Sequence, residues 1–574
     1  MSIAPGALRR ASAALFAVAS MTLVACAGPG VQSIPESSQG RLSLLAERLP
    51  ASSEASVYVT DLKGLSAGIK RVDASFGDAA GGVRDLQAEL NDKFGIDLMD
   101  TGSLRDAAGI APDGGLAFGF VDNRSVLLIY VVDAEKFDAF VGGKIRDEIG
   151  LEGEVATEKV GDVEVRVLGA NVEKQLAWAH FGKVAILATP QLDPEKGGEA
   201  SISKFVAGIY GNDKGASTSS SASFKQFVSE FGGKYLVAAF ANPGAIKKSK
   251  FYPELKEEFS REEGADDALK NFEEYCTSLG MGFDLRGDVI KSHFFYGGNA
   301  EFGAYYAGLS DVADATFNGF ATSSLIAMGR VSLNLAAALS LTEKFAKPEA
   351  WNELQSGIGE ASEAVGFDLQ TEVIDQLTGN MGGYFYGVDL GQAMGGGGIA
   401  AAQFATVAQF KNAEAPLKIL NKVLDLYNAE QAKNTPPVDP MNPDMAPPAI
   451  TPVTLTPMAG GQGYTLPGAG SIIATGDLIV FASGSMLPAQ LELLVQGKGG
   501  ELLSSPLGKP FAQGKAHGGL YINIEQLGLL VSPLVAGSPE ASMFFSTFRD
   551  AALYFDSSKR GISSTIEFEM LPLE

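Results

Sequence analysis

The chain is poor in the residues that most reactive and metal-binding sites use. Its 574 residues include two cysteines, three histidines and two tryptophans. The histidines, His180, His293 and His517, are far apart, and neither H-x-x-x-H nor C-x-x-C spacing occurs. A folded body with so few cysteines has to be stabilised by its core, which a chain of this length allows. We therefore predict neither a metal site nor a cofactor.

Positive charge is also scarce. Lysine and arginine number 44 against 68 aspartate and glutamate residues, which gives a formal net charge of −24. Nucleic acids are bound through lysine and arginine contacts to phosphates, so a nucleic-acid partner is not expected. Hydrophobic residues make up 46% of the chain, enough for a large core, and the length indicates more than one domain.

The N-terminus has the pattern of a secretory signal. Arg9 and Arg10 precede a charge-free apolar stretch from Ala11 to Ala25. This stretch is too short to span a bilayer comfortably, which takes ~20 apolar residues. We therefore predict that residues 1–25 form a signal peptide and are removed.

The stretch ends in Leu23-Val24-Ala25-Cys26, which resembles the lipobox of bacterial lipoproteins. The resemblance implies cleavage between Ala25 and Cys26, with a lipid on the cysteine sulfur that makes the membrane a partner. Ala27 follows the cysteine where an aspartate would favour the inner membrane, so an outer-membrane lipoprotein facing the periplasm is expected. Exposure at the cell surface stays open. The alternative is that Cys26 is an ordinary signal-peptide residue.

The chain repeats one order of patterns. A Gly-apolar-Asp-Leu motif, an amphipathic helix, a Gly-Gly turn and an aromatic strand ending in Val-Asp occur at 94–122 and again at 365–389. A hairpin pattern with a glycine turn follows at 280–296 and at 551–570, with nearly the same spacing between the copies. This ordered series indicates an internal duplication.

The predicted fold class is α+β, as two tandem copies of a mostly antiparallel sheet packed against helices. Residues 26–48 form a lipidated, flexible tether, residues 49–315 the first repeat and residues 316–574 the second. The second repeat contains a proline-rich insertion at 434–463, predicted to be an extended surface loop because proline lacks the N–H that helices and central strands need.

One catalytic motif occurs. "GLSAG" (64–68) fits G-x-S-x-G after the strand-like "SVYVTD", which would make Ser66 the exposed nucleophile of a serine hydrolase. The motif is weak in a chain this rich in glycine and serine, and no acid and histidine stand out as partners. Leu62, Leu65 and Ile69 instead predict the start of a helix packed on a sheet. We predict a protein that is not an enzyme, with a Ser66 hydrolase as the alternative.

Aromatic residues are plentiful, with 34 phenylalanines and 15 tyrosines. Runs such as "HFFYGG" and "GGYFYG" are typical of a core. The other interpretation is that they line a groove that accepts a lipid or a peptide.

Three short motifs resemble a group of uncharacterised bacterial lipoproteins with duplicated α+β units: "LPASSEASVYVTDL" (49–62), "FGIDL" (94–98) and "GGLAFGF" (114–120). This resemblance implies no catalytic residues. The leading hypothesis is a non-enzymatic, membrane-anchored lipoprotein with a binding or structural role at the cell envelope. A carrier of a lipid or another hydrophobic ligand is the main alternative, and a protein partner stays open.

We expect the mature protein to begin at Cys26 and to fractionate with membranes, because acyl chains on one residue anchor a soluble body, at ~0.8 kcal/mol for each buried CH₂. The Cys26→Ser variant should lose both the cleavage and the lipid. Detergent phase partitioning and the mass of the N-terminal peptide measure the two effects. Recovery of mature, unlipidated protein from the culture medium would contradict the prediction.

Overall fold

The computed structural model describes most of the chain between residues 33 and 572, with gaps at 78–80, 123, 170–174, 192–200, 211–216, 262–264, 310–316, 390, 392, 394, 396–400, 434–450, 467–469, 484–485, 487, 497–504, 513–516 and 536. The signal peptide, Ala25 and Cys26 lie outside the described residues. The predicted boundary between residues 315 and 316 also lies outside them.

The chain divides into two compact units. The first contains the residues up to Phe302, together with Arg560–Ser563 and the residues from Met570 onward. The second contains Gly303–Lys559 and Ser564–Glu569.

In the first unit, single strands and runs of consecutive strands are separated by helices. In chain order they are α1 (Ser38–Arg48), β1 (Ala55–Val59), α2 (Leu62–Phe76), α3 (Gly81–Phe94), α4 (Thr101–Ala108), β2 (Leu116–Val121), β3 (Arg124–Tyr130), α5 (Ala134–Phe140), which continues through a π-helical turn into α6 (Arg146–Ile149), β4 (Ala156–Val160), β5 (Val163–Leu168), β6 (Leu176–Phe181), β7 (Val184–Gln191), α7 (Ile202–Tyr210), α8 (Ala222–Phe231), β8 (Val237–Ala241), α9 (Pro243–Ile246), α10 (Tyr252–Phe259), α11 (Ala265–Tyr275), β9 (Cys276–Asp284) and β10 (Val289–Gly298).

The second unit continues in the same manner. Its elements are α12 (Ala300–Leu309), which begins just before the division, β11 (Ala327–Ser332), α13 (Leu335–Phe345), α14 (Pro348–Val365), α15 (Leu369–Glu372), β12 (Leu377–Val388), β13 (Ala402–Phe410), α16 (Ala415–Lys433), β14 (Thr456–Met458), β15 (Gly461–Leu466), β16 (Gly470–Thr475), β17 (Leu478–Ser483), α17 (Pro488–Val495), α18 (Lys509–Ala512), β18 (Gly518–Asn523), α19 (Ile524–Val535), α20 (Pro539–Thr547), β19 (Phe548–Ser558) and β20 (Gly561–Met570).

The two units have the same strand order. It is β10-β9-β8-β1-β2-β3-β7-β6-β5-β4 in the first and β20-β19-β18-β11-β12-β13-β17-β16-β15-β14 in the second, with adjacent strands antiparallel. Helices follow the first, third, seventh and eighth strand of each unit. The predicted α+β fold, with antiparallel sheets packed against helices, is confirmed.

The prediction for the proline-rich insertion is wrong in its second half. Residues 434–450 lie outside the described residues, but β14 and β15 form a hairpin in which Pro457 pairs with Gln462. β14 is the last strand of the order, and an edge strand tolerates proline because one of its sides has no ladder of hydrogen bonds.

A polar cap starts the helix after the first strand of each unit. The Asp61 carboxylate accepts a hydrogen bond from the Gly64 amide at 2.9 Å, and the Asn334 side chain accepts one from the Ala337 amide at 3.2 Å. Such caps satisfy backbone N–H groups that the first helical turn leaves without partners. Both helices therefore begin at the same topological point.

Both faces of the first sheet are covered. Side chains alternate between the faces of a strand, and all of β3 is buried. Leu128 packs with α1, α7 and α8 on one face. Leu127 and Ile129 pack on the other with Phe94 of α3, Leu104 of α4 and the helix from α5 to α6. The first unit is therefore a three-layer structure with two cores.

The prediction of a flexible tether over residues 26–48 is wrong from Ser38 onward. Ser38–Arg48 forms α1, and its Leu42 and Leu45 are fully buried in the core shared with α7 and α8.

The second sheet is covered differently. On one face Tyr384, Val407 and Val480 are buried, and the Phe320 ring stacks on Tyr384 at 5.1 Å between centroids. On the other face a small cluster joins Leu420 and Leu424 of α16 to β15 and β16. This second face has no extended core among the described residues.

His180 lies on β6 inside the second core of the first unit. It is 2% exposed, and its ring meets the Phe137 ring edge-on. Neither ring nitrogen has a hydrogen-bond partner among the described residues. Burial, with a smaller effect from Arg166, lowers the pKa of His180 to about 2, so the folded state holds the imidazole neutral.

We expect the His180→Leu variant to resist acid better than the wild type. Below pH ~6.5 the unfolded state takes up a proton on this histidine that the folded state refuses, so His180 lowers the free energy of unfolding by up to ~1.4 kcal/mol for each pH unit. Above that pH the imidazole is neutral in both states and has no such effect. Urea unfolding at several pH values between 7.5 and 4 measures the slope. An unchanged slope in the variant would contradict the assignment.

Candidate ligand-binding site

The structure does not support Ser66 as a nucleophile. The residue lies in α2, is 6% exposed, and donates its hydroxyl hydrogen to the Met99 carbonyl at 3.2 Å. A hydrolase elbow needs an exposed serine with its base beside it. The motif in this chain belongs to a helix start packed on a sheet, which is what Leu62 and Leu65 predict.

The histidines occupy separate surroundings. His180 is buried against Phe137, and His293 lies against the rings of Phe231 and Tyr235. Nε2 of His517 lies 2.9 Å from the Asp556 carboxylate. Within the described residues, no three histidine, cysteine, aspartate or glutamate side chains come together as metal ligands.

The less covered face of the second sheet contains a groove of about 400 Å³, which we call the sheet groove. It crosses four adjacent strands, β11, β12, β13 and β17. Its lining residues on this face are Gly329, Val331, Met381, Gly383, Thr406, Ala408, Ile479 and Phe481, and it also borders Gly382 and Val407, which face the other side of the sheet. They include no acid, base or cation, and the Thr406 hydroxyl is the one hydrogen-bonding side chain among them.

Small residues on paired strands create the sheet groove. A row of directly opposed residues crosses the four strands: Gly329, Gly383, Thr406 and Phe481. A Cβ atom built on Gly329 or on Gly383 would meet no atom within 4 Å, so both glycines face open space. Directly opposed residues share one face of a sheet, so the two glycines form a continuous floor.

Larger side chains border this floor. The next row consists of Val331, Met381, Ala408 and Ile479. On the side of the floor opposite this row, Phe481 packs against Phe404, with the two ring centroids 5.6 Å apart. Beyond β17, α16 covers β15 and β16 through Leu420 and Leu424. The sheet groove is therefore an apolar trough beside α16.

The corresponding face of the first unit is filled. In both units this face is the one covered by the helix after the third strand, α5 or α16. A row across the first sheet carries Val59, Leu116, Ile129 and Ala185. Ile129 and Ala185 belong to the core beneath α3 and α4. Glycine and threonine on the second sheet leave the space that aliphatic side chains occupy on the first.

One sequence prediction is wrong at this site. The sequence pattern predicts a turn at the Gly-Gly pair of each repeat. In the first repeat Gly114 closes a turn before β2, because its amide donates a hydrogen bond to the Ala111 carbonyl at 3.0 Å. Gly382 and Gly383 lie instead in the middle of β12. Glycine inside a strand is a known sign of close approach by a ligand or another backbone. The sequence alone could not separate a turn from a strand, because an aromatic run follows the Gly-Gly pair in both repeats.

Comparisons with known proteins give little guidance. No protein-family model matches the sequence, and no curated protein is similar to it. Among solved structures, the chain is similar to TP0453 in its crystal forms III and I, at 9% identity in each case. The form III match covers 44% of this chain and 78% of TP0453 with a TM-score of 0.22, and the form I match covers 46% and 79% with 0.23. A likeness this weak supports no argument about fold or function.

No helix within the described segments combines the length and the apolar character that crossing a bilayer requires.

We expect the Gly383→Leu variant to fold with a melting temperature equal to or above that of the wild type. A strand glycine costs roughly 0.5–1 kcal/mol relative to alanine, and the new side chain enters open space. The matched control is Gly519→Leu in β18, where a Cβ would lie 2.4 Å from the Leu553 carbonyl oxygen. Thermal unfolding compares the two. A loss of stability in Gly383→Leu as large as in the control would show that the space is not open.

Proposed function

We propose that this protein is a membrane-anchored lipoprotein that binds an apolar ligand in the sheet groove and does not act as an enzyme. The observation that carries the proposal is the open floor formed by Gly329 and Gly383 on the less covered face of the second sheet. Its volume of about 400 Å³ falls within the range of small-molecule sites, roughly 300–1,000 Å³.

The lining selects the ligand by its chemistry. A charged group inside the sheet groove would lose hydration without gaining an ion-pair partner, which is strongly unfavourable. An acyl chain loses nothing polar and removes apolar surface from water on both sides. The Thr406 hydroxyl can hydrogen-bond one carbonyl or hydroxyl group beside that chain. We infer that the ligand is an acyl chain whose charged group, if it has one, stays in solvent.

The N-terminus supports the same proposal. A lipid on Cys26 would hold the two units near a membrane, where acyl chains are abundant. An outer-membrane location facing the periplasm follows from the residues after Cys26, and the acidic body is compatible with a role that does not involve nucleic acid. The lining provides binding without acid–base chemistry, since it contains no ionisable side chain.

We expect a fluorescent fatty-acid probe to bind saturably to the chain that begins at Ala27. This chain keeps every described residue and removes the protein's own lipid as a competitor. Competing fatty acids with longer acyl chains should displace the probe at lower concentration. Their dissociation constant should fall by up to ~4-fold for each CH₂, because each buried CH₂ contributes ~0.8 kcal/mol. Affinity should stop rising once the sheet groove is filled.

The Gly383→Leu variant locates the site in this experiment. Its side chain occupies the floor and should weaken probe binding by about tenfold or more, the equivalent of ~1.4 kcal/mol. Gly208→Leu on α7 of the first unit is the control, because a Cβ there also meets open space and lies outside the lining. Absence of saturable binding, or equal binding by wild type and Gly383→Leu, would refute the proposed function.

A further inference from the structure

The longest helix between the first and second strands of the second unit has no buried residue. This helix, α14, runs for 18 residues from Pro348 to Val365. Its apolar residues recur every three or four positions, at Trp351, Leu354, Ile358, Ala361 and Val365. We call this face the α14 stripe, and Leu354 in its middle is 40% exposed. Amphipathic helices of globular proteins normally bury such a stripe.

The helices before and after α14 contact the elements around the sheet groove. At its start, α13 contacts β12, and Phe345 of α13 packs edge-on against Tyr305 of α12. At its end, the Leu369 amide of α15 donates a hydrogen bond to the Ser362 hydroxyl at 3.0 Å. Glu372 of α15 forms ion pairs with Lys418 and Lys422 of α16, the helix that flanks the sheet groove.

The first unit shows what helices at this topological position can do. Its helices between the first and second strands include α3 and α4, which pack Phe94 and Leu104 onto the sheet face that corresponds to the sheet groove. In the second unit the same position holds α13, α14 and α15, and none of these three helices has a buried residue. The second unit therefore has both an uncovered apolar floor and an unburied apolar helix.

We propose that α14 is a lid that closes over the sheet groove and buries its stripe against the bound acyl chain. The inference rests on the proposed function. α14 is about 27 Å long, and four strands span about 14 Å, so the helix can cover the whole width of the floor. The lining and the stripe are both apolar, and the glutamates of α14, Glu349, Glu353, Glu360 and Glu363, lie at other positions of the helix.

The lid couples ligand to closure through contacts that exist only in the closed state. A ligand shifts such an equilibrium by the difference between its affinities for the closed and open forms. An acyl chain long enough to rise above the floor touches the stripe and favours closure. The ligand of the second unit takes the place that the aliphatic row and the helix side chains fill permanently in the first.

Trp351 reports closure directly. The chain has two tryptophans, and the other, Trp178, is fully buried and donates a hydrogen bond to Asp138. Adding an acyl ligand to the chain from Ala27 should shift Trp351 emission to shorter wavelength and reduce its quenching by acrylamide. The Trp351→Phe variant should lose the response while still binding the fluorescent probe. Saturable probe binding without a Trp351 response would overturn the lid and leave the proposed function standing.

Crosslinking in the presence of an acyl ligand tests the lid in the chain that begins at Ala27. The pair Ile358→Cys and Thr406→Cys joins the stripe to the floor, and Ser356→Cys with Thr406→Cys places the first thiol on the opposite side of α14. Cys276 does not compete, because burial raises the pKa of its thiol to about 12. A short bis-maleimide should link the Ile358 pair within one chain severalfold more than the Ser356 pair. Equal yields would overturn the proposal.

Two other docking partners for the stripe would give different results. A Trp351 shift that depends on protein concentration, with crosslinks between chains, would show that the stripe binds a second copy. A shift on adding ligand-free neutral vesicles, lost when the vesicles are removed, would show that it binds a lipid surface. Either result, without crosslinking inside one chain, would overturn the lid.

Discussion

The register of β11, β12 and β13 is the constraint on which the candidate site depends. Side chains of an antiparallel sheet alternate between its faces, so each paired row belongs wholly to one face. The register places Gly329, Gly383 and Thr406 in one row. A shift of one residue in β12 would place Tyr384 on the floor and remove it from its stacking contact with Phe320. The core on one face therefore fixes the open floor on the other.

Much of the fold could be predicted from the sequence, because its signals are local. Alternating apolar residues, glycine turns and strand-to-helix transitions at Asp61 and Asn334 each leave a short pattern, and the repetition of these patterns indicates two similar units. The common strand order is what two copies of one unit would produce. Cys26, in contrast, is a prediction from sequence alone, since it lies outside the described residues.

The candidate site could not be predicted, because it depends on pairing between distant segments. Gly329 and Gly383 form a floor only when β11 pairs with β12, and Thr406 joins that row only when β13 pairs with β12. Taken alone, the Gly-Gly pair of the second repeat predicts a turn, as the pair Gly114 and Gly115 does in the first repeat. The interpretation of the aromatic runs shows the same limit, since Phe295 is buried while Phe294, its neighbour on the same strand, is 42% exposed.

The lid and the open floor depend on each other energetically. α14 contains Gly357 and Gly359, each of which lowers helix stability by ~1 kcal/mol relative to alanine. A helix of 18 residues with two such positions is marginal in water on its own, so its stability depends on what its stripe contacts. Gly329 and Gly383 have no side chains, so the sheet lacks the packing contacts that larger residues would make at these two positions. Docking the stripe over an acyl chain provides packing contacts for both the helix and the floor of the sheet. Large side chains on the floor would also stabilise the sheet, but they would leave no space for a ligand.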